Sequence, residues 1–99
     1  MTVYAIAQGK IENRERFDQY VAEATPTLIA HDAKVLAVDE SPVIVEGNVD
    51  YPRTVVIEFE SEAAFRRWYD SPEYTAARRV RLDAAQGTFI LVKALQIGA

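Results

Sequence analysis

The chain has 99 residues, no cysteine, 15 acidic and 11 basic side chains, and a net charge of −4. That length fits one domain, residues 1–99. The missing cysteine excludes disulfides, thiolate metal sites and cysteine nucleophiles, and the negative balance disfavours nonspecific contact with nucleic acid or an anionic membrane surface.

A domain this small buries only about 60–65% of the surface its unfolded chain exposes. With no disulfide to help, a second subunit is the remaining common source of stability. Met1-Thr2-Val3-Tyr4 enters a strand pattern at once, without a basic and then apolar leader. No apolar run approaches the ~20 residues of a membrane helix. A soluble cytoplasmic protein is the expectation.

Val3–Gln8 is the first predicted strand, with Val3, Ala5 and Ala7 on one face and Tyr4, Ile6 and Gln8 on the other. Gly9 and Lys10 are expected to end it. Asn13 is a candidate N-cap. Phe17, Tyr20, Val21, Ala24 and Leu28 then mark one apolar helical face. Pro26 interrupts that pattern, so a kink or a restart is expected there. The helix should end near His31-Asp32.

Lys34–Asp39 is the second strand, followed by a turn at Glu40-Ser41-Pro42 and a short extended segment, Val43–Val45. Thr54–Glu60 is the third strand, with Val55, Ile57 and Phe59 opposite Thr54, Val56 and Glu58. Ser61 is placed to cap a helix with Phe65, Trp68 and Tyr69 on its aromatic face. Asp70-Ser71-Pro72-Glu73 resets the chain into a further helix, since Pro suits a first helical position and Glu the positive end of the dipole. Gly87 is expected to stop that helix, and Thr88–Leu95 is the last strand.

This order is that of a ferredoxin-like βαββαβ α+β sandwich, an antiparallel sheet with helices on one face. A sheet with one wet face should alternate between apolar and polar residues. These strands do not: Tyr4 and Ile6 oppose Val3 and Ala5, and Ile90 and Val92 oppose Phe89 and Leu91. The helices can cover one face only. The simplest cover for the other is the sheet of an identical chain, giving a homodimer.

Val55-Val56-Ile57-Glu58-Phe59, then Trp68-Tyr69-Asp70-Ser71-Pro72-Glu73-Tyr74, and the late Ile90-Leu91-Val92 strand carry a resemblance. The chain resembles the "domain of unknown function 1330" family of the dimeric α+β barrel superfamily, from Tyr4 to about Val92. The resemblance implies two units packed sheet to sheet into a barrel. The superfamily includes cofactor-independent monooxygenases, muconolactone isomerases, haem-degrading enzymes and chlorite dismutases, so it does not select one activity. The chain departs from the family pattern where Asp32-Ala33 replaces an expected glycine pair.

Candidate chemistry is sparse. His31, the single histidine, is either a general base or a cation at a helix end, and its position favours the second. Glu58, within an apolar strand, is either a base with a raised pKa, or the partner of Arg53 or another arginine, or simply exposed at the sheet edge; the non-catalytic readings are the simpler ones. Arg53 could equally hold a substrate anion. Trp68 and Phe65 read first as core, and Tyr69 and Tyr74 as better ligand contacts. Tyr4 and Tyr20 would complete a cleft between sheet and helices. Arg66, Arg67, Arg78, Arg79 and Arg81 are either a solvated face or an anion-binding patch. No glycine-rich phosphate loop, dinucleotide fingerprint or serine nucleophile motif occurs, and no cofactor or metal is called for.

The sequence therefore leads to a dimer whose cleft binds a small organic metabolite. Were it an enzyme, it would be a cofactor-free isomerase or monooxygenase-like protein, with Glu58 or His31 handling protons, Arg53 holding an anion, and Tyr4, Trp68, Tyr69 and Tyr74 packing the ligand. The alternative is a non-enzymatic sensor or structural dimer module.

Overall fold

The computed structural model describes residues 1–96, so the last three residues of the expected domain lie outside the described part. The elements are β1 (Val3–Ile11), α1 (Arg14–Ala30), β2 (Lys34–Asp39), β3 (Arg53–Phe59), α2 (Glu62–Tyr69), α3 (Pro72–Ala84) and β4 (Ala85–Lys93). The four strands form one antiparallel sheet in the order β2-β3-β1-β4. This is the ferredoxin-like arrangement, with α2 and α3 together taking the place of the second helix.

The helices begin where side chains can replace missing backbone partners. Asn13 Oδ1 accepts from the Arg16 N–H at 3.0 Å, Ser61 Oγ from the Ala64 N–H at 3.0 Å, and Ser71 Oγ from the Tyr74 N–H at 3.2 Å. Ser71 also donates to the Trp68 carbonyl at 2.7 Å, which locks the corner between α2 and α3.

α1 runs unbroken through Pro26, so of the expected kink or restart the restart does not occur. Pro26 and Ala22 both lie on the exposed side, where water can satisfy the carbonyl that the proline leaves free. α1 ends in a left-handed turn. The Asp32 N–H reaches Ile29 O at 3.2 Å, the Ala33 N–H reaches Leu28 O at 3.1 Å, and Asp32 itself sits at φ 55°. This is a Schellman closure, in which glycine usually holds the left-handed position.

Several strand limits differ from expectation: β3 lies one residue earlier than Thr54–Glu60 at each end, and β4 ends at Lys93 rather than Leu95. β1 continues through Gly9 to Ile11, and β4 starts at Ala85 directly after α3. Gly87 is therefore a strand residue rather than a helix stop. It lies opposite Gly9, and a Cβ there would collide with the Gln8 carbonyl oxygen and come within 2.8 Å of Gly9 Cα. Close approach of the two backbones is what requires glycine. Val43–Val45 pairs with no strand; Val43 and Val45 stand exposed in the β2–β3 loop.

One face of the sheet presents Val3, Ala5, Ile57 and Phe59 to the helices, all buried. Trp68, Tyr74 and Phe59 are the largest fully buried side chains. Their rings lie close, with Trp68 to Tyr74 centroids at 3.9 Å and Phe59 to Trp68 at 5.4 Å. The Trp68 indole N–H donates to Thr27 Oγ1 at 2.9 Å, which ties α2 to α1. The Cα envelope is only 16 Å in its thinnest direction, room for one helix layer and one sheet layer. Tyr4, Ile6, Val56 and Val92 remain partly exposed on the other face, and Ile90 is 53% exposed.

Candidate functional site

The helix side of the sheet is filled at one end and sparse at the other. Near the end of β1 the inward positions Ala7 and Gly9 pair on β4 with Phe89 and Gly87, and the next inward pair is Ile11 with Ala85, so that Ala7, Gly9, Gly87 and Ala85 lie together. These small residues leave a floor with little side-chain volume. A cleft of about 320 Å³ opens there between the sheet, α1 and α3. Its walls include Phe17, Tyr20, Trp68 and Phe89. Val21, Val38 and Leu82, all exposed, stand at its mouth.

Among the described residues that line it, the ionisable side chains are Tyr20, Arg53 and Arg81, with no carboxylate and no histidine. Arg53 is mostly covered, its side chain 17% exposed, and its guanidinium carbon lies 4.6 Å from the Phe17 ring centroid. Its Nε reaches Glu40 at 3.4 Å. Glu40 also accepts two bonds from Arg14, at 2.9 and 3.0 Å, and these hold its carboxyl below the usual carboxylate range. Arg81 lies between two rings, 6.0 Å from the Tyr20 centroid and 5.6 Å from that of Phe89.

The Tyr20 and Tyr74 hydroxyls are hydrogen-bonded at 2.8 Å. Burial pushes both phenols above the ordinary tyrosine value. Both are therefore protonated at neutral pH, where they act as hydrogen-bond donors rather than bases.

The structure brings only some of the sequence candidates together. Arg53 and Trp68 line the cleft. Tyr74 is fully buried behind Tyr20. Tyr69 stacks on Phe65 at 5.4 Å beneath the Arg78 guanidinium, in a separate recess of about 230 Å³ with Arg66, Phe89 and Leu91. Tyr4 and Glu58 face each other across β1 and β3, on the side away from the helices, so the sheet itself separates Tyr4 from Tyr20. His31 caps α1, with Nδ1 2.9 Å from the Thr27 carbonyl oxygen.

The suggested Arg53–Glu58 pair does not form. Five positions apart on one strand, the two side chains point to opposite faces. Glu58 instead lies 3.9 Å from Lys34 Nζ, and Arg53 pairs with Glu40.

In the sequence Arg81 is one member of a basic patch of five arginines, with nothing adjacent to mark it out. The signal was present: Tyr74, Ala77 and Arg81 follow helical spacing along one face of α3, and the neighbouring Arg78 and Arg79 masked it. No group of three potential metal ligands occurs among the described residues, and no described helix is long and apolar enough to cross a membrane.

Residues 2–95 match the family model described as "Domain of unknown function (DUF1330)". The chain belongs to that family. Solved structures place the DUF1330 fold among ferredoxin-like α+β proteins. A protein of unknown function from Rhodopseudomonas palustris is similar at TM-score 0.82 and 18% identity, over 97% of this chain and 84% of that one. SnoaB, a cofactor-independent oxygenase from Streptomyces nogalater, is similar at TM-score 0.67 and 13% identity, over 98% and 96%. A dabb family protein with a ferredoxin-like fold from Mesorhizobium loti is similar at TM-score 0.65 and 18% identity, over 98% of each chain. At such identities the likeness is one of fold. No curated protein sequence matches the chain.

Proposed function

We propose that this DUF1330 protein is a cytoplasmic homodimer, a dimeric α+β barrel in which each subunit binds a small organic metabolite between its sheet and its helices. One observation carries the reading: a cleft of about 320 Å³ with aromatic walls and two guanidinium groups. Ligand sites commonly start at roughly 300 Å³ and combine apolar walls with a few polar groups. A structural module with a filled core would have no such space.

The dimer rests on the face opposite the helices. Tyr4, Ile6, Val56, Ile90 and Val92 form an apolar surface that a second sheet in two-fold symmetry would cover. A cytoplasmic setting agrees with a chain that has no cysteine.

The catalytic version is a cofactor-free isomerase or monooxygenase-like enzyme. In it Arg53 holds a substrate anion, Trp68 packs the ring, and Glu58 or His31 moves protons. Kinship of fold with a cofactor-independent oxygenase supports it by analogy. Against it, neither Glu58 nor His31 lines the cleft. That observation favours the second reading, a sensor that binds its ligand without transforming it.

Saturation-transfer NMR against small aromatic and aliphatic metabolites tests the binding. Signals for flat ligands that weaken in Ala7→Leu, which narrows the cleft floor, are expected. Binding unaffected by that change would move the site elsewhere.

A further inference from the structure

Arg81 differs from the other cation of the cleft. Arg53 is matched by Glu40. Among the described residues, Arg81 has no acidic partner within ion-pair distance and its buried Nε has no hydrogen-bond partner. The acids on nearby elements are engaged elsewhere: Asp83 with Arg16 at 3.2 Å, Glu12 with Gln86 at 3.1 Å, and Glu40 with Arg14 and Arg53. A buried guanidinium donor without a partner carries its full desolvation cost. In an apolar cleft the uncompensated charge also acts through a low dielectric.

The Nε itself is closed to a ligand, but Arg81 lines the cleft, so an anion bound there would meet its unbalanced charge. The guanidinium is a planar fork that matches the two oxygens of a carboxylate. The rings of Tyr20 and Phe89 flank it, and Phe17 and Trp68 supply further aromatic wall. The Tyr20 and Tyr74 hydroxyls form one hydrogen bond in which either can donate. When Tyr74 donates, the Tyr20 proton is free for a ligand oxygen.

Building on the cleft reading above, we infer that Arg81, with the Tyr20 phenol, is the anion-recognition point of this cleft, and that its ligand is a flat organic acid carrying a carboxylate or enolate on an aromatic or conjugated ring. Arg53, held by Glu40, sets the electrostatic character of the cleft and is not the principal contact.

Isothermal titration of the intact protein with 2-naphthoate and with its uncharged counterpart 2-naphthamide tests this. The acid is expected to bind about tenfold tighter or more, as a charge-assisted pair in a covered site should. Arg81→Met should abolish the preference while leaving amide binding in place, and Arg53→Met should keep it. Equal affinity for acid and amide in the unaltered protein overturns the assignment to Arg81 and leaves the cleft standing. Binding of neither overturns the cleft reading too. If Arg81→Met does not fold, Arg53→Met decides: a preference for the acid that survives it leaves Arg81 as the cation responsible, and a preference that is lost assigns the anion to Arg53 and overturns the proposal.

Discussion

The hydroxyls of Tyr20 and Tyr74 meet at 2.8 Å although 54 residues separate them in the chain. The bond joins α1 to α3 beside the cleft. It also keeps two phenols in a setting where ionisation is opposed by burial.

Alkaline stability follows from this pair. Both phenols hold their protons more tightly in the folded chain than in the unfolded one. Below about pH 10 both states are protonated and the contribution is complete. As pH rises past about 10 the unfolded chain loses these protons first, so stability falls until the folded phenols also titrate. Urea denaturation at a series of pH values should show this decline above pH ~10, reduced in the Tyr20→Phe/Tyr74→Phe double variant. A decline of equal size in both proteins would remove the pair as its cause. At neutral pH, Tyr74→Phe alone should cost about 1 kcal/mol for the lost hydrogen bond.

Asp32→Gly should stabilise the protein. Asp32 occupies the left-handed position at the end of α1, at φ 55°. Side chains other than glycine pay about 1 kcal/mol there, somewhat less for Asp. A rise of about 0.5–1 kcal/mol in chemical denaturation is expected. A loss would mean that the Asp32 side chain contributes more than its backbone strain costs.

Gly87→Ala should destabilise it. The added methyl meets the backbone of Gln8 and Gly9, which no side-chain rotation can relieve. Overpacking of this kind costs about 1–3 kcal/mol. Gly9→Ala, whose Cβ would lie 3.2 Å from the Gln86 carbonyl oxygen, should cost less. Thermal denaturation of the two variants side by side checks the order.

Ile90→Lys places a charge on the open face of the sheet, where Ile90 is already 53% exposed. In an isolated subunit the change should be nearly neutral, because the lysine remains in water. In a sheet-to-sheet dimer it buries an unpaired charge at the interface. Sedimentation should show the variant shifted to monomer with its helical signal intact. A variant that remains fully dimeric would place the interface on another surface.

The fold was legible because several local signals agreed. The caps at Asn13, Ser61 and Ser71, the alternation of Val55, Ile57 and Phe59, and the order of elements all pointed one way. The strand ends were not. Gly9 and Gly87 read singly as breakers, and only their pairing across β1 and β4 makes each a strand residue. Pro26 read as a break because the side of the helix carrying its freed carbonyl cannot be known before packing. The cleft was half visible. Arg53 and Trp68 could be named from position, whereas Arg81 stood among four other arginines, and its burial depends on how α3 meets α1. Tyr4 was linked to Tyr20 on residue type alone, and strand parity places it on the opposite face.

Native mass spectrometry of the protein and of Ala7→Leu, each incubated with a small-molecule extract, tests the central claim most directly. The account predicts a dimer that retains a small-molecule mass, released on denaturation and lost or much reduced in Ala7→Leu. A monomer with no retained mass, or a dimer whose bound mass is indifferent to the narrowed cleft, would contradict it.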